Sequence, residues 1–251
     1  MTSTEGFDTR SFELLRDAEA GSFWFRARSH LVVWTLRRYF SGARSFLEVG
    51  CGTGFVLQGL REAFPQLQLT GAELFEEGLA VARRRVPDAT LLQADARALA
   101  FDAEFDVVGS FDVLEHIEED ELALAAIVRA ARPGGGVVLT VPQHPRLWSA
   151  ADEFGKHVRR YRRRDLVAKA EWAGLRVERV TSFVSLLLPL MVVSRVTHRR
   201  MDESYDPLAE LRLSRPLDLS LERVMDLERT LIRAGVSLPV GGSLLVVARR
   251  G

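Results

Sequence analysis

The segment from Ser45 to Gly54 constrains this chain more than any other; it reads Ser-Phe-Leu-Glu-Val-Gly-Cys-Gly-Thr-Gly. A short apolar run, Ser45–Val49, ends in glycines at alternate positions, and a helical pattern follows from Phe55. Such a run reads as a buried strand that turns directly into a helix. Glycine permits positive φ and a close backbone approach. A helix N-terminus offers unpaired N–H groups to a ligand. The spacing is G-x-G-x-G, whereas a dinucleotide loop has G-x-G-x-x-G. Glu48 stands two positions before the first glycine. A carboxylate there repels a pyrophosphate and attracts a cationic or amino-bearing group.

The rest of the chain alternates in the same way. Helical periodicity over 12–40, broken at Gly21, precedes the loop. Apolar runs at 45–49, 68–72, 90–93, 105–110, 137–141, 175–180 and 243–248 read as strands. Helical patterns at 55–63, 76–85, 120–131, 164–173 and 217–234 separate them, and the helix over 120–131 is stopped by Pro133-Gly134-Gly135-Gly136. Strands alternating with helices imply βαβ units and a parallel sheet covered on both faces. The predicted fold is α/β: a doubly wound, seven-stranded, mostly parallel sheet with helices on both faces. We read one domain over 1–251. It has an N-terminal helical extension (1–41), a cofactor-binding core (42–181), a helical insertion serving as an acceptor-side lid (182–240) and the last strand (241–251). Sequential strands are usually joined by short loops, so 182–240 reads as a lid, a partner surface or a substrate element, or else as a helical extension that packs on the core.

Glu48-Val49-Gly50-Cys51-Gly52-Thr53-Gly54 resembles motif I of the class I S-adenosylmethionine-dependent methyltransferases, which have a Rossmann-like fold. Further matches follow in order. Glu73, at the end of the second strand and followed by Leu74, resembles the family's ribose-binding acid. Leu92-Gln93-Ala94-Asp95-Ala96 resembles the adenine-binding segment. Phe105-Asp106-Val107-Val108, leading to Phe111-Asp112-Val113-Leu114-Glu115-His116-Ile117, resembles motif IV. The resemblance implies an S-adenosylmethionine cofactor held by Glu48, Gly50, Cys51, Gly52, Gly54, Glu73, Leu74, Asp95, Ala96 and Phe111. Weaker likeness at 22–28, 147–152 and 155–161 is to a bacterial subfamily related to the ubiquinone-biosynthesis type. Some members of that subfamily stand in contexts of lipid chemistry.

Methyl transfer to an oxygen or carbon acceptor usually needs a proton removed, and a histidine with pKa near 7 suits that task. His116 follows the fourth strand, and His144 and His157 follow the fifth, so these are the candidate bases; His30 and His198 are less well placed. Trp24, Arg28, Trp148, Arg160 and Tyr161 are candidate acceptor contacts, since aromatic rings beside arginines can close over a flat or anionic group. The run 159–164 holds five arginines, read either as recognition of an anion or as a solvated helix start. Asp112 and Glu115 read as a helix cap and a first-turn charge, and no metal is indicated. Cys51, the lone cysteine, reads as a small residue in a tight turn.

Lys plus Arg and Asp plus Glu are 34 each, so the formal net charge is zero, and nothing global points to nucleic acid. One cysteine precludes an internal disulfide framework, and the polar start carries no secretory signal; both suit a cytoplasmic location. The longest charge-free apolar stretch, 181–194, is too short to span a membrane. With the basic residues up to Arg200, 183–200 suits a peripheral membrane contact or a homodimer interface. The function read from the sequence is methyl transfer to a small-molecule acceptor, lipid-like or anionic. The alternatives are a non-catalytic partner protein with this fold and, against the glycine spacing, a nicotinamide-dependent oxidoreductase.

Overall fold

The computed structural model describes residues 11–197 and 213–251. The polar start at 1–10 and the basic cluster His198-Arg199-Arg200 lie outside the described residues. In chain order the elements are α1 (Ser11–Glu19), α2 (Phe23–Tyr39), β1 (Ser45–Val49), α3 (Phe55–Ala63), β2 (Gln68–Glu73), α4 (Glu76–Arg85), β3 (Thr90–Gln93) and β4 (Phe105–Phe111). They continue with α5 (Asp120–Ala130), β5 (Ala131–Pro142), α6 (Ala150–Phe154), α7 (Arg163–Trp172), β6 (Leu175–Phe183), α8 (Leu188–Thr197), α9 (Arg215–Arg233) and β7 (Ser243–Arg250). The seven strands form one sheet of order β3-β2-β1-β4-β5-β7-β6. Strands β3 through β5 pair in parallel, and β7 lies antiparallel between β5 and β6. This is the Rossmann-like, mostly parallel sheet expected from the sequence.

Strand side chains alternate between faces, and here both faces are dry. Phe46, Val107, Val138, Leu245 and Val247 point into one apolar cluster with α2, α3 and α9. Their chain neighbours Leu47, Val108, Leu139, Val246 and Ala248 point into the other, with α5 and α7. That double burial explains why the strands read as continuous apolar runs. Each fully buried leucine, such as Leu57 or Leu124, contributes about 1.5–3 kcal/mol relative to exposure.

The helical pattern over 12–40 divides into α1 and α2 around Gly21, as expected, but several other elements differ from the sequence reading. Strand β5 begins at Ala131, which pairs with Phe105; the ladder then shifts before Gly136 meets Val107, so the Pro-Gly run is a bulge inside the strand rather than a turn before it. The apolar stretch 181–194 is shared out, since Ser182 and Phe183 extend β6 against Leu244 and Ser243, and its end enters α8. Helix α6 and the 3-10 turn Leu114–His116 are too short for periodicity to reveal.

The described part of the insertion packs on the core. Helix α9 lays Met225 and Ile232 into the same cluster as Leu31, Val32 and Leu36 of α2. The Asp218 carboxylate accepts the Phe23 N–H at 2.6 Å and pairs with Arg26, while Glu222 accepts Arg26 Nε at 3.0 Å. Helix α8 has no buried residue, and it turns Leu190, Val193 and Val196 outward. Among the described residues no helix is long and apolar enough to cross a membrane.

Candidate functional site

The strand order reverses between β1 and β4, and in open α/β sheets ligands bind beyond the carboxyl ends of strands at that point. A cavity of about 750 Å³ opens there, walled by the residues that follow β1 through β4 and by α1. Its floor is the glycine loop. Gly50, Gly52 and Gly54 hold φ of 73°, 51° and 76°. A Cβ on Gly50 would stand 2.4 Å from Val113 Cγ2, so the loop nests against the chain leaving β4 only because that carbon is missing.

Glu48 lies behind the floor, 3% exposed, with Oε2 buried and unpartnered. Burial, with a further push from Glu73 and against the pull of Arg28, raises its carboxyl to about 8. A buried, unsatisfied carboxylate oxygen is costly and is the natural seat for a cationic group. Glu73 accepts from Gly52 N at 2.8 Å and Phe75 N at 3.1 Å, which aims its carboxylate across the loop; burial raises its carboxyl. Asp95 accepts the Arg97 N–H at 2.8 Å and is chelated by that guanidinium, which holds its carboxyl below the usual range.

The cavity wall includes Glu48, Gly50, Cys51, Gly52, Glu73, Leu74, Asp95, Ala96 and Phe111. Gly54 is set back from it, at the start of α3 against Ala82 of α4. Burial pushes the Cys51 thiol well up, which suits a packing residue and no nucleophile.

On the opposite wall stand Arg28, His116, Trp148 and His157. Arg28 is stacked over Trp24 at 4.6 Å and Phe25 at 5.3 Å, and its guanidinium pairs with Asp112. Trp24 is therefore a backing for Arg28 and not a wall residue. Arg160 and Tyr161 also depart from expectation. Arg160 is buried, donating to Asp152 at 2.7 Å and to the Gln143 carbonyl at 3.1 Å; Tyr161 donates its hydroxyl to Asp120 at 2.7 Å. Arg159 meets the same Asp120 at 2.8 Å, and Arg163 donates to the Leu238 carbonyl. These internal partners, rather than an acceptor anion, take up most of the arginine run. His144 is absent from the wall and sits in a turn at φ 63°.

Burial and the neighbouring His157 lower His116 to about 4. The two rings meet edge to face at 4.7 Å. Glu115, fully buried with neither carboxylate oxygen partnered, adds a third donor, and the three groups each bring one atom within 4.8 Å of the others. Asp112 and Glu115 are thus neither cap nor first-turn charge of α5, which begins at Asp120 with Glu119 before it. Asp112 faces Arg28 and Glu115 faces the histidines. The convergence is of a kind a divalent cation accepts, and it was not visible in the linear sequence.

Sequence reasoning also missed the part that α1 plays in the site. Phe12, Leu15 and Glu19 wall the cavity. Glu19 accepts from Thr53 Oγ1 at 2.6 Å and from Arg85 at 2.6 Å, fastening α1 to the glycine loop and to α4. None of the described residues of 182–240, expected as an acceptor-side lid, lines the cavity.

Together, the sheet order, the loop spacing and the acid at the end of β2 define a Rossmann-like α/β class. Residues 47–139 match the family described as methyltransferase domain. That segment is similar to a methyltransferase domain. The ubiquinone biosynthesis O-methyltransferase of Azoarcus sp. (strain BH72) is 34% identical over 100 residues, 38% of this chain and 42% of that protein. The dTDP-3-amino-3,4,6-trideoxy-alpha-D-glucopyranose N,N-dimethyltransferase of Streptomyces venezuelae is 39% identical over 101 residues, 39% of this chain and 42% of that protein. The chain thus spans about two fifths of the length of the curated relatives it matches. Among solved structures, the methyltransferase in complex with the Trm112 methyltransferase activator of Haloferax volcanii superposes with a TM-score of 0.60 at 19% identity. That superposition covers 96% of this chain and 93% of the other, which establishes the common fold.

Proposed function

We propose that the protein is an S-adenosylmethionine-dependent methyltransferase acting on a small-molecule acceptor, lipid-like or anionic, by in-line transfer. The observation that carries this reading is Glu48. Its buried oxygen has no partner and borders a cavity floored by a backbone-open glycine loop, which fits the amino group of the cofactor's methionine part. Glu73 would accept the ribose hydroxyls, and the Asp95–Ala96 turn and Phe111 would border the adenine. When bound, S-adenosylmethionine supplies an electrophilic methyl group on a sulfonium. The chain's own contribution is alignment and exclusion of water, and proximity of this kind is worth about 7–11 kcal/mol. Arg28, backed by two aromatic rings, suits an anionic part of the acceptor or of the cofactor.

Calorimetric titration with S-adenosylmethionine and S-adenosylhomocysteine, wild type beside Glu73→Ala and Gly52→Val, tests the reading. Micromolar binding that both variants lose supports it. A folded wild type that binds neither ligand sinks it. The outward apolar residues of α8 favour a peripheral contact with lipid, and flotation with anionic vesicles, comparing Val193→Ser with wild type, tests that second point.

A further inference from the structure

The methyltransferase reading leaves open which side chain takes the acceptor's proton, and the loop after β5 answers it through a residue outside the cavity wall. Asp152 is the third residue of α6 and is fully buried. Its Oδ2 accepts the Ser149 N–H at 2.9 Å, closing the start of the helix. Its Oδ1 accepts Arg160 Nε at 2.7 Å and stands 2.8 Å from His157 Nδ1. The His157 backbone N–H donates to the Asp152 carbonyl at 2.9 Å, so main chain and side chain hold the imidazole together. Burial alone would raise the Asp152 carboxyl, but the contacts with His157 and Arg160 outweigh it and keep it below the usual range.

We propose that Asp152 is a positioning residue that fixes the tautomer and aim of His157, making His157 rather than His116 or His144 the base at this site. An ionised carboxylate can only accept, so the proton of neutral His157 resides on Nδ1 and the lone pair on Nε2. His157 lines the cavity beside Trp148 and Lys156, with its ring 18% exposed. The charged and titratable groups around it are Glu115 and His116 from the turn after β4, Asp152 and Glu153 from α6, and Lys156 and Arg160 from its own loop. His116 is half-buried on the same wall, whereas the Asp152 carboxylate holds the His157 ring, and His144 stands off the wall. In the step, the acceptor's proton passes to Nε2. The electron pair it leaves forms the bond to the methyl carbon, and the carbon–sulfur pair departs with sulfur. The resulting imidazolium lies against the Asp152 carboxylate and returns its proton to water.

This inference rests on the methyltransferase reading, and its test separates the two. Long-range ¹H–¹⁵N correlation spectra of the ¹⁵N-labelled full chain report the tautomer of each histidine, with His157 assigned through His157→Gln. We expect an Nδ1-protonated His157 in wild type, which needs no variant. In Asp152→Asn, whose amide can donate to Nδ1, the proton moves to Nε2. The same samples are titrated with S-adenosylhomocysteine. Binding that persists in Asp152→Asn, with kcat lowered about 10²-fold or more and KM for the cofactor unchanged, supports the assignment. An Nε2-protonated His157 in wild type overturns it. So does a His157 signal displaced by excess magnesium chloride, since that nitrogen would then serve a cation. Failure of wild type to bind S-adenosylhomocysteine overturns the cofactor reading while leaving the tautomer result to stand.

Discussion

At the scale of single residues, the site is set by atoms that are missing or unpaired. Gly50 is required by its φ of 73° and by Val113, whose stiff isopropyl group stands where a Cβ would go. Gly50→Ala is expected to lower stability by about 1–3 kcal/mol, measured by urea denaturation, and to weaken cofactor binding. Glu48 makes a pH prediction. Its carboxyl stands at about 8 in the folded protein against an ordinary 4.5. Between those values the folded chain holds a proton that the unfolded chain has released. Folding stability contributed by this group is therefore present at low pH and lost as pH rises toward 8. A cationic amino group would favour the ionised form, so cofactor binding at pH 7 should release up to one proton. Calorimetry in buffers of different ionisation heat measures this, and Glu48→Gln should abolish it. Unchanged heats across buffers would remove Glu48 from the amino-group role. Both residues stood out in the sequence, because a glycine spacing and a nearby acid are properties of a few consecutive positions.

At the scale of elements, charges buried between helices hold the extension and the insertion in place. Glu19 joins α1 to the glycine loop through Thr53 and Arg85, with side-chain exposures of 6% and 12% for the ion pair. Removing one member of such a pair leaves the other uncompensated, so Glu19→Gln is expected to cost about 3 kcal/mol and to reduce cofactor affinity as α1 loosens. Thermal melts and calorimetry on the same variant measure the two effects. Asp218 caps the first turn of α2 from a distant helix. Asp218→Ala should destabilise by about 1–3 kcal/mol without touching the cavity, so a loss of S-adenosylhomocysteine binding at unchanged stability would contradict this account. Neither role was legible beforehand. Glu19 is one acid in a helix with no glycine or proline signature, and its partners lie 34 and 66 residues away.

For the whole molecule, the insertion before β7 belongs to the fold. Met225 and Ile232 are 5% and 1% exposed and complete the cluster around α2. A chain lacking 188–234 should lose cooperative unfolding, because the faces of Leu31, Val32 and Leu36 would meet water. Cooperative melting of that deletion with intact cofactor binding would restore the lid reading. Val193→Ser, at a position 63% exposed, should shift stability by less than about 0.5 kcal/mol.

The sequence by itself determined the alternation of strands and helices, the doubly wound class, and the floor and the acidic edge of the cavity. Those follow from hydrophobic period, backbone-permissive glycines and the position of an acid at a strand end, each a matter of neighbours along the chain. The tertiary structure decided that His116 and His157, and not His144, face the cavity. It also decided that Arg159 and Arg160 answer Asp120 and Asp152 rather than a ligand, that Trp24 backs Arg28, and that α9 is core. Each depends on pairing across space between segments far apart in the chain, where the low dielectric of a buried contact selects the partner and linear spacing carries no record of the choice.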